Sequence, residues 1–142
     1  MLQIKKHKQG GFTIVEVLIA ASILGIIAAI AVPSYTSHTR KVRRADAKVT
    51  LTNSAQQLER CNIELDAYND TDCSSTLASG GSVTTPEGFY TVTASTLTAT
   101  TFTLTATPVA GHGQDNDGDC TTFTLNQAGA QGATGANAST CW

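Results

Sequence analysis

The sequence predicts an α+β protein in which one long N-terminal helix, apolar in its first half and amphipathic in its second, packs on a small antiparallel sheet of three or four strands. Three observations predict it. Phe12–Val32 is a run of twenty-one residues with a single charge, Glu16; apolar residues then recur at three- and four-residue intervals; and the last half of the chain alternates threonine with apolar side chains.

Composition sets the frame for these elements. A chain of 142 residues allows one modest domain. Charged residues make up 14%, against the roughly 25% usual in soluble domains. With mean hydropathy near zero, the chain is neither disordered nor a multi-span membrane protein.

Residues 1–11, MLQIKKHKQGG, form a basic leader with Lys5, Lys6 and Lys8 and no acid. Residues 12–33 follow as a membrane-spanning segment, long enough at about 1.5 Å per residue to cross a hydrocarbon layer of roughly 30 Å. A cleavable secretory signal would have a shorter apolar region with small residues at the cut after it. Here the small residues Gly10-Gly11 precede the run, and Val32-Pro33-Ser34-Tyr35 closes it.

Residues 34–62 read as an amphipathic helix. Leu51, Ala55, Leu58, Cys61 and Leu65 mark its apolar face, and Arg40, Lys41, Arg43, Arg44 and Lys48 supply polar positions. Pro33 is expected to kink the join rather than end the helix, which would then run roughly 75 Å from Phe12 to about Cys61.

Residues 63–142 form the head. Between Thr84 and Thr107, eleven of twenty-four residues are threonine, so a half-buried sheet is expected there. The strand segments are Phe89–Val92, Thr101–Ala106 and Thr121–Leu125. Turn chemistry separates them at Ser79-Gly80-Gly81, Pro108–Gly113 and Asp117-Gly118. The tail, AGAQGATGANAST, has no hydrophobic period and reads as a surface loop.

Charge divides the chain as sharply as hydropathy does. All nine Lys and Arg lie at or before Arg60, whereas Cys61–Trp142 holds eight acids and no base. Such a head repels phosphate backbones and argues against DNA. The cluster Arg40–Lys48, just beyond a membrane span, reads as contacts to phospholipid or to acidic neighbours.

Bases flank both ends of the apolar run, so counting them does not orient it. The four cysteines do. None forms a C-x-x-C pair, and a small threonine-rich head calls for disulfides, hence an oxidising compartment. Three pairings are open. Cys61–Cys73 would tie the helix end to the following loop, and Cys120–Cys141 would pin the tail.

Enzyme chemistry is not expected. His112, in the turn Gly111-His112-Gly113, has no nucleophile motif beside it. Neither a cofactor nor a metal is required. The nearest metal candidate is the set Asp115, Asp117 and Asp119, whose alternation suits Ca²⁺, but its glycine comes early and no glutamate stands at the twelfth position.

Glu16 carries the sharpest signal. A carboxylate inside an apolar helix costs on the order of 2.5–3.5 kcal/mol on insertion scales, so it needs a partner or an interface to reach. Cleavage between Gly11 and Phe12 would create that partner, an α-amino group on Phe12 one helical turn from Glu16, and in a packed array the carboxylate of one chain could pair with the terminal ammonium of its neighbour.

The segment Lys5-x-x-Lys8-Gln9-Gly10-Gly11-Phe12-Thr13-Ile14-Val15-Glu16, followed by an apolar helix and Pro33, resembles the class III signal and N-terminal helix of type IV pilins. The resemblance implies that Gly11 is recognised by the prepilin peptidase, that Phe12 becomes the N-methylated terminus, and that Glu16 neutralises it during assembly. It implies that Gly25 and Pro33 lie where the helix can lose regularity in assembled pili, and that Cys120 and Cys141 bound a loop at the filament surface. The partners implied are other pilin subunits, the peptidase and N-methyltransferase, and the inner-membrane assembly machinery.

The resemblance also sets the localisation: single-pass in the inner membrane with a periplasmic head, then an extracellular filament serving adhesion, motility or DNA uptake. The alternatives are a pseudopilin of a type II secretion system, against which the four cysteines count, and a tip or DNA-uptake pilin.

Overall fold

The computed structural model describes residues 11–142, so all of the basic leader but Gly11, including Lys5, Lys6 and Lys8, lies outside the described residues. The chain divides into two units, one ending at Ser37 and the other spanning His38–Trp142.

Helix α1 is Ile14–Leu65. Thr13 stands before its first turn and its Oγ1 accepts the Glu16 backbone N–H at 3.2 Å, an N-cap bond. Pro33 lies inside the helix and does not end it. The end comes where Asp66 takes φ 56°, a left-handed residue whose N–H still bonds Asn62 O at 3.0 Å.

In the first unit every described side chain from Phe12 to Ser37 is exposed, including Ile19, Leu24 and Ile30. By length and composition this part of α1 can cross a membrane.

In the second unit five strands form one sheet: β1 Ser82–Thr84, β2 Tyr90–Leu97, β3 Phe102–Pro108, β4 Thr122–Asn126 and β5 Gln131–Thr134. Each pairs antiparallel with its sequence neighbour, in the order β1-β2-β3-β4-β5. The alternation read from the sequence decides which face is buried. Tyr90, Val92, Phe102, Leu104, Ala106, Phe123 and Leu125 turn inward, while Thr91, Thr103, Thr105 and Thr124 take the outer face. Ala47, Leu51, Leu58 and Cys61 of α1 cover the inner face together with Tyr68 and Leu77. A bulge at Ser95 shifts the β2–β3 register, and the Ser95 hydroxyl donates to Thr103 O at 3.1 Å.

The sheet has five strands where three or four were expected, and both additions have a reason. Strand β1 is only three residues long, too short to show a period. Strand β5 lies in the tail read as a loop, because Gln131-Gly132-Ala133-Thr134 has little intrinsic strand preference and is placed by its neighbours instead. Trp142 Nε1–H donates to Gly132 O at 2.6 Å. Ala136 N–H and Asn137 N–H bond Gly118 O and Asp119 O at 2.9 and 3.0 Å.

Both disulfides pair as the sequence favoured, Cys61–Cys73 and Cys120–Cys141. Gly135, at φ 125°, lets the tail pass against the Asp119 carbonyl, where a Cβ would collide with backbone. Gly135→Ala is therefore expected to cost about 2 kcal/mol of stability, read as a lowered midpoint in thermal unfolding.

Candidate functional site

Two groups of residues carry chemistry beyond packing. The first is the N-terminal segment. Phe12 is exposed, Glu16 occupies the third position of α1, and the small residues Ala20, Ala21, Gly25, Ala28, Ala29 and Ala31 lie along the exposed apolar part of the helix. Nothing lies within 4 Å of the position a Cβ would take at Gly25.

The second group locks the amphipathic half of α1 to the head. Arg44 Nε donates to Asp117 Oδ2 and Nη2 donates to Oδ1, both at 2.6 Å. The Asp117 side chain is fully buried, and Gln114 Nε2 donates to the same Oδ2 at 2.8 Å. Asp119 contributes an outer carboxylate 3.7 Å from Arg44 Nη2. One position before, Arg43 stacks on the Phe89 ring at 4.1 Å; one turn after, Lys48 Nζ sits 5.7 Å from the Trp142 ring and 5.8 Å from Phe123. Thus three bases from two adjacent turns of the helix grip three parts of the head.

Electrostatics follow the geometry. Burial alone would push the Asp117 carboxyl up, but hydrogen bonds and charge from Arg44, helped by the Cys120 and Asp119 N–H groups, outweigh it and hold the carboxyl below its ordinary value. The hydrogen bond to Asp117 raises Arg44, against burial. Burial first, and the Arg44 charge second, lower Lys48.

This arrangement bears on two of the sequence features. In the set Asp115, Asp117 and Asp119, a guanidinium occupies both carboxylate oxygens of Asp117. Among the described residues no group of three or more His, Cys, Asp or Glu side chains converges as a metal site. Of the basic cluster, Arg43, Arg44 and Lys48 are turned into the head, where Arg43 and Lys48 meet aromatic rings and Arg44 meets an acidic neighbour, one of the two readings of the cluster. His112 remains in its exposed turn.

The pairing of Arg44 with Asp117 joins residues 73 apart in sequence, so no local period could reveal it. Its one legible sign was the imbalance itself, with eight acids after Cys61 needing cations from elsewhere.

Comparison with known proteins gives the family. A family model described as "Type IV minor pilin ComP, DNA uptake sequence receptor" matches residues 33–124, and one described as "Prokaryotic N-terminal methylation motif" matches residues 6–32. The crystal structure of the non-core minor pilin PilV of Neisseria meningitidis superposes with a TM-score of 0.54 at 31% identity, covering 71% of this chain and 92% of that one.

Among curated proteins, the Fimbrial protein EcpB of Eikenella corrodens is 49% identical over 37 residues, 26% of this chain and 23% of that protein. A Fimbrial protein of Pseudomonas aeruginosa is 41% identical over 51 residues, 34% and 33% of the two chains. Prepilin peptidase-dependent protein D of Escherichia coli is 33% identical over 57 residues, 40% and 39%. The matched segments span less than half of each of these relatives. The match over residues 33–124, the methylation motif before it, and a long helix packed on an antiparallel sheet agree: the chain belongs to the type IV minor pilin ComP family.

Proposed function

We propose that the chain is a prepilin cut between Gly11 and Phe12, N-methylated at Phe12, held in the inner membrane by residues 12–33 and built into a type IV filament as a minor subunit. The observation that carries this reading is the exposed apolar run that begins at Phe12, directly after Gly11, and continues through the first part of α1 with Glu16 as its lone charge. An apolar surface of that extent must lie in lipid or against other helices. Residues 34–62 and 63–142 then form the portion outside the membrane, on the oxidising side where two disulfides persist.

Within this reading Glu16 pairs with the Phe12 ammonium of an adjacent subunit, Gly25 and Pro33 permit local loss of helix, and the disulfide-closed segment from Cys120 to Cys141, which holds β4 and β5, faces outward. The chain's role is structural rather than catalytic.

Mass spectrometry of sheared filaments tests it. The expected mature N-terminus is methylated Phe12, a Gly11→Leu variant stays uncut in the membrane fraction, and Glu16→Ala is cut but falls about tenfold in filaments. A Glu16→Ala chain that assembles at the parent level overturns the role given to Glu16.

The family description favours a second reading, in which the subunit contacts DNA. With Arg43, Arg44 and Lys48 engaged, the bases left for phosphates in the second unit are Arg40, Lys41 and Arg60. Three phosphate contacts give a slope of log K against log salt no steeper than about −2.7. A gel-shift series in salt that yields a much steeper slope refutes this set of contacts, and no complex at low salt refutes DNA binding.

A further inference from the structure

Gly11, Phe12 and Thr13 lie in no helix, strand or turn, and α1 starts at Ile14. The first bond of its ladder runs from Val17 N–H to Thr13 O at 3.2 Å. One step further back, a continued ladder would carry Glu16 N–H to Phe12 O, four residues before it. That N–H goes instead to Thr13 Oγ1, also at 3.2 Å. The hydroxyl therefore takes the donor that would have drawn the Phe12 carbonyl into the helix. The step after that would have joined Val15 N–H to the Gly11 carbonyl.

The Gly11 carbonyl is the group a peptidase attacks. Water adds to its carbon, the bond to the Phe12 nitrogen breaks, and the products are a Gly11 carboxylate and a Phe12 ammonium. The enzyme has to polarise the Gly11 oxygen and reach the carbon, which calls for an extended chain whose carbonyl is not already engaged in a helical bond.

We infer that Thr13 is a positioning residue for this cut: its hydroxyl stops α1 two residues short of the scissile bond and keeps Gly11-Phe12 out of the helix. Loss of the hydroxyl has a direction. The first turn of α1 belongs to the exposed apolar run, and in lipid there is little water to satisfy N–H groups released by fraying. The nearest acceptors are the Phe12 and Gly11 carbonyls, so the helix grows onto them. Gly11 resists as a poor helix residue, by about as much as one cap contributes. Two effects of similar size meet at this boundary, and one hydroxyl decides it. The cap uses the Glu16 backbone and not its carboxylate, which stays open to the ammonium that the cut releases.

This role rests on cleavage between Gly11 and Phe12, and one experiment separates the two. The full chain in detergent micelles is cut by a purified prepilin peptidase while kcat/KM is measured, and the Phe12 Cα chemical shift is read on the uncut chain. Thr13→Val, which keeps the shape and loses the hydroxyl, is expected to fall about fivefold in kcat/KM, the population change of one lost cap, with the Phe12 shift moving toward helical values. Thr13→Ser and Thr13→Asn restore a capping oxygen and are expected to match the parent in both measurements.

A parent chain left uncut at this bond overturns the processing reading and the role of Thr13 with it. A parent that is cut, with Thr13→Val cut equally fast, overturns the role of Thr13 alone. So does a slow Thr13→Val whose Phe12 shift stays at the parent value, or a Thr13→Ser as slow as Thr13→Val.

Discussion

Arg44→Met is expected to lower the unfolding free energy of the detergent-solubilised chain by about 3–5 kcal/mol, the cost of leaving a buried carboxylate without its counter-charge. Asp117 is fully buried, and removing Arg44 leaves it only the Gln114 amide and nearby backbone N–H groups. Against a total stability of about 5–15 kcal/mol, that loss is enough to empty much of the folded population at growth temperature. The double change Arg44→Met with Asp117→Leu is expected to recover most of the loss, since neither charge is then stranded. Failure of the double variant to recover would show that Arg44 acts through packing of its stem instead.

The same pair sets a pH dependence. The Asp117 carboxyl titrates lower in the folded chain than in the unfolded one, so its contribution is complete above the ordinary carboxylate value of about 3.9 and fades as pH falls through the lower folded value. Thermal midpoints of the parent should therefore fall steeply below about pH 4. Arg44→Met should have a shallower acid limb, because protonating an unpaired buried carboxyl relieves it.

The second large effect is expected from Cys120→Ser combined with Cys141→Ser. Opening a link with a sequence separation of 21 costs roughly 3 kcal/mol through the freed unfolded chain. In this fold the folded state suffers as well. Cys141 precedes Trp142, whose indole packs edge-on against Phe123 at 5.9 Å and holds β5 through Gly132. Limited proteolysis of the double variant should cut first between Gln127 and Thr140, while β2 and β3 stay protected. Equal resistance of all strands would refute the link between the disulfide and β5. The corresponding loss of Cys61–Cys73 should leave β5 protected and expose Thr71–Ser79 instead.

Much of this architecture was legible in the residues. The apolar run, the leucines of the amphipathic face and the alternation Thr101–Ala106 each obey a local period, and local periods decide which side of an element meets the core. Strand β5 obeys none, and it exists because Trp142 and Cys141 hold it beside β4. The lock between Arg44 and Asp117 was hidden for a related reason: it is long-range, and charge counting could only say that the acidic half lacked cations. The aspartates around Gly118 were ambiguous for the same reason, since the alternation that suits Ca²⁺ also suits a turn that offers one carboxylate inward and two outward.

The strictly sequential sheet has a kinetic meaning. Each strand finds its partner in the strand just before it, so the sheet can grow hairpin by hairpin with short loops to close and little entropy spent on distant encounters. The distant encounter is α1 meeting a sheet whose strands lie later in the chain, and Arg44 on Asp117 and Lys48 on Trp142 make it. The sheet should therefore assemble in microseconds to milliseconds, with helix docking after it. Oxidation of the two cysteine pairs, over seconds or longer, should set the overall time of maturation.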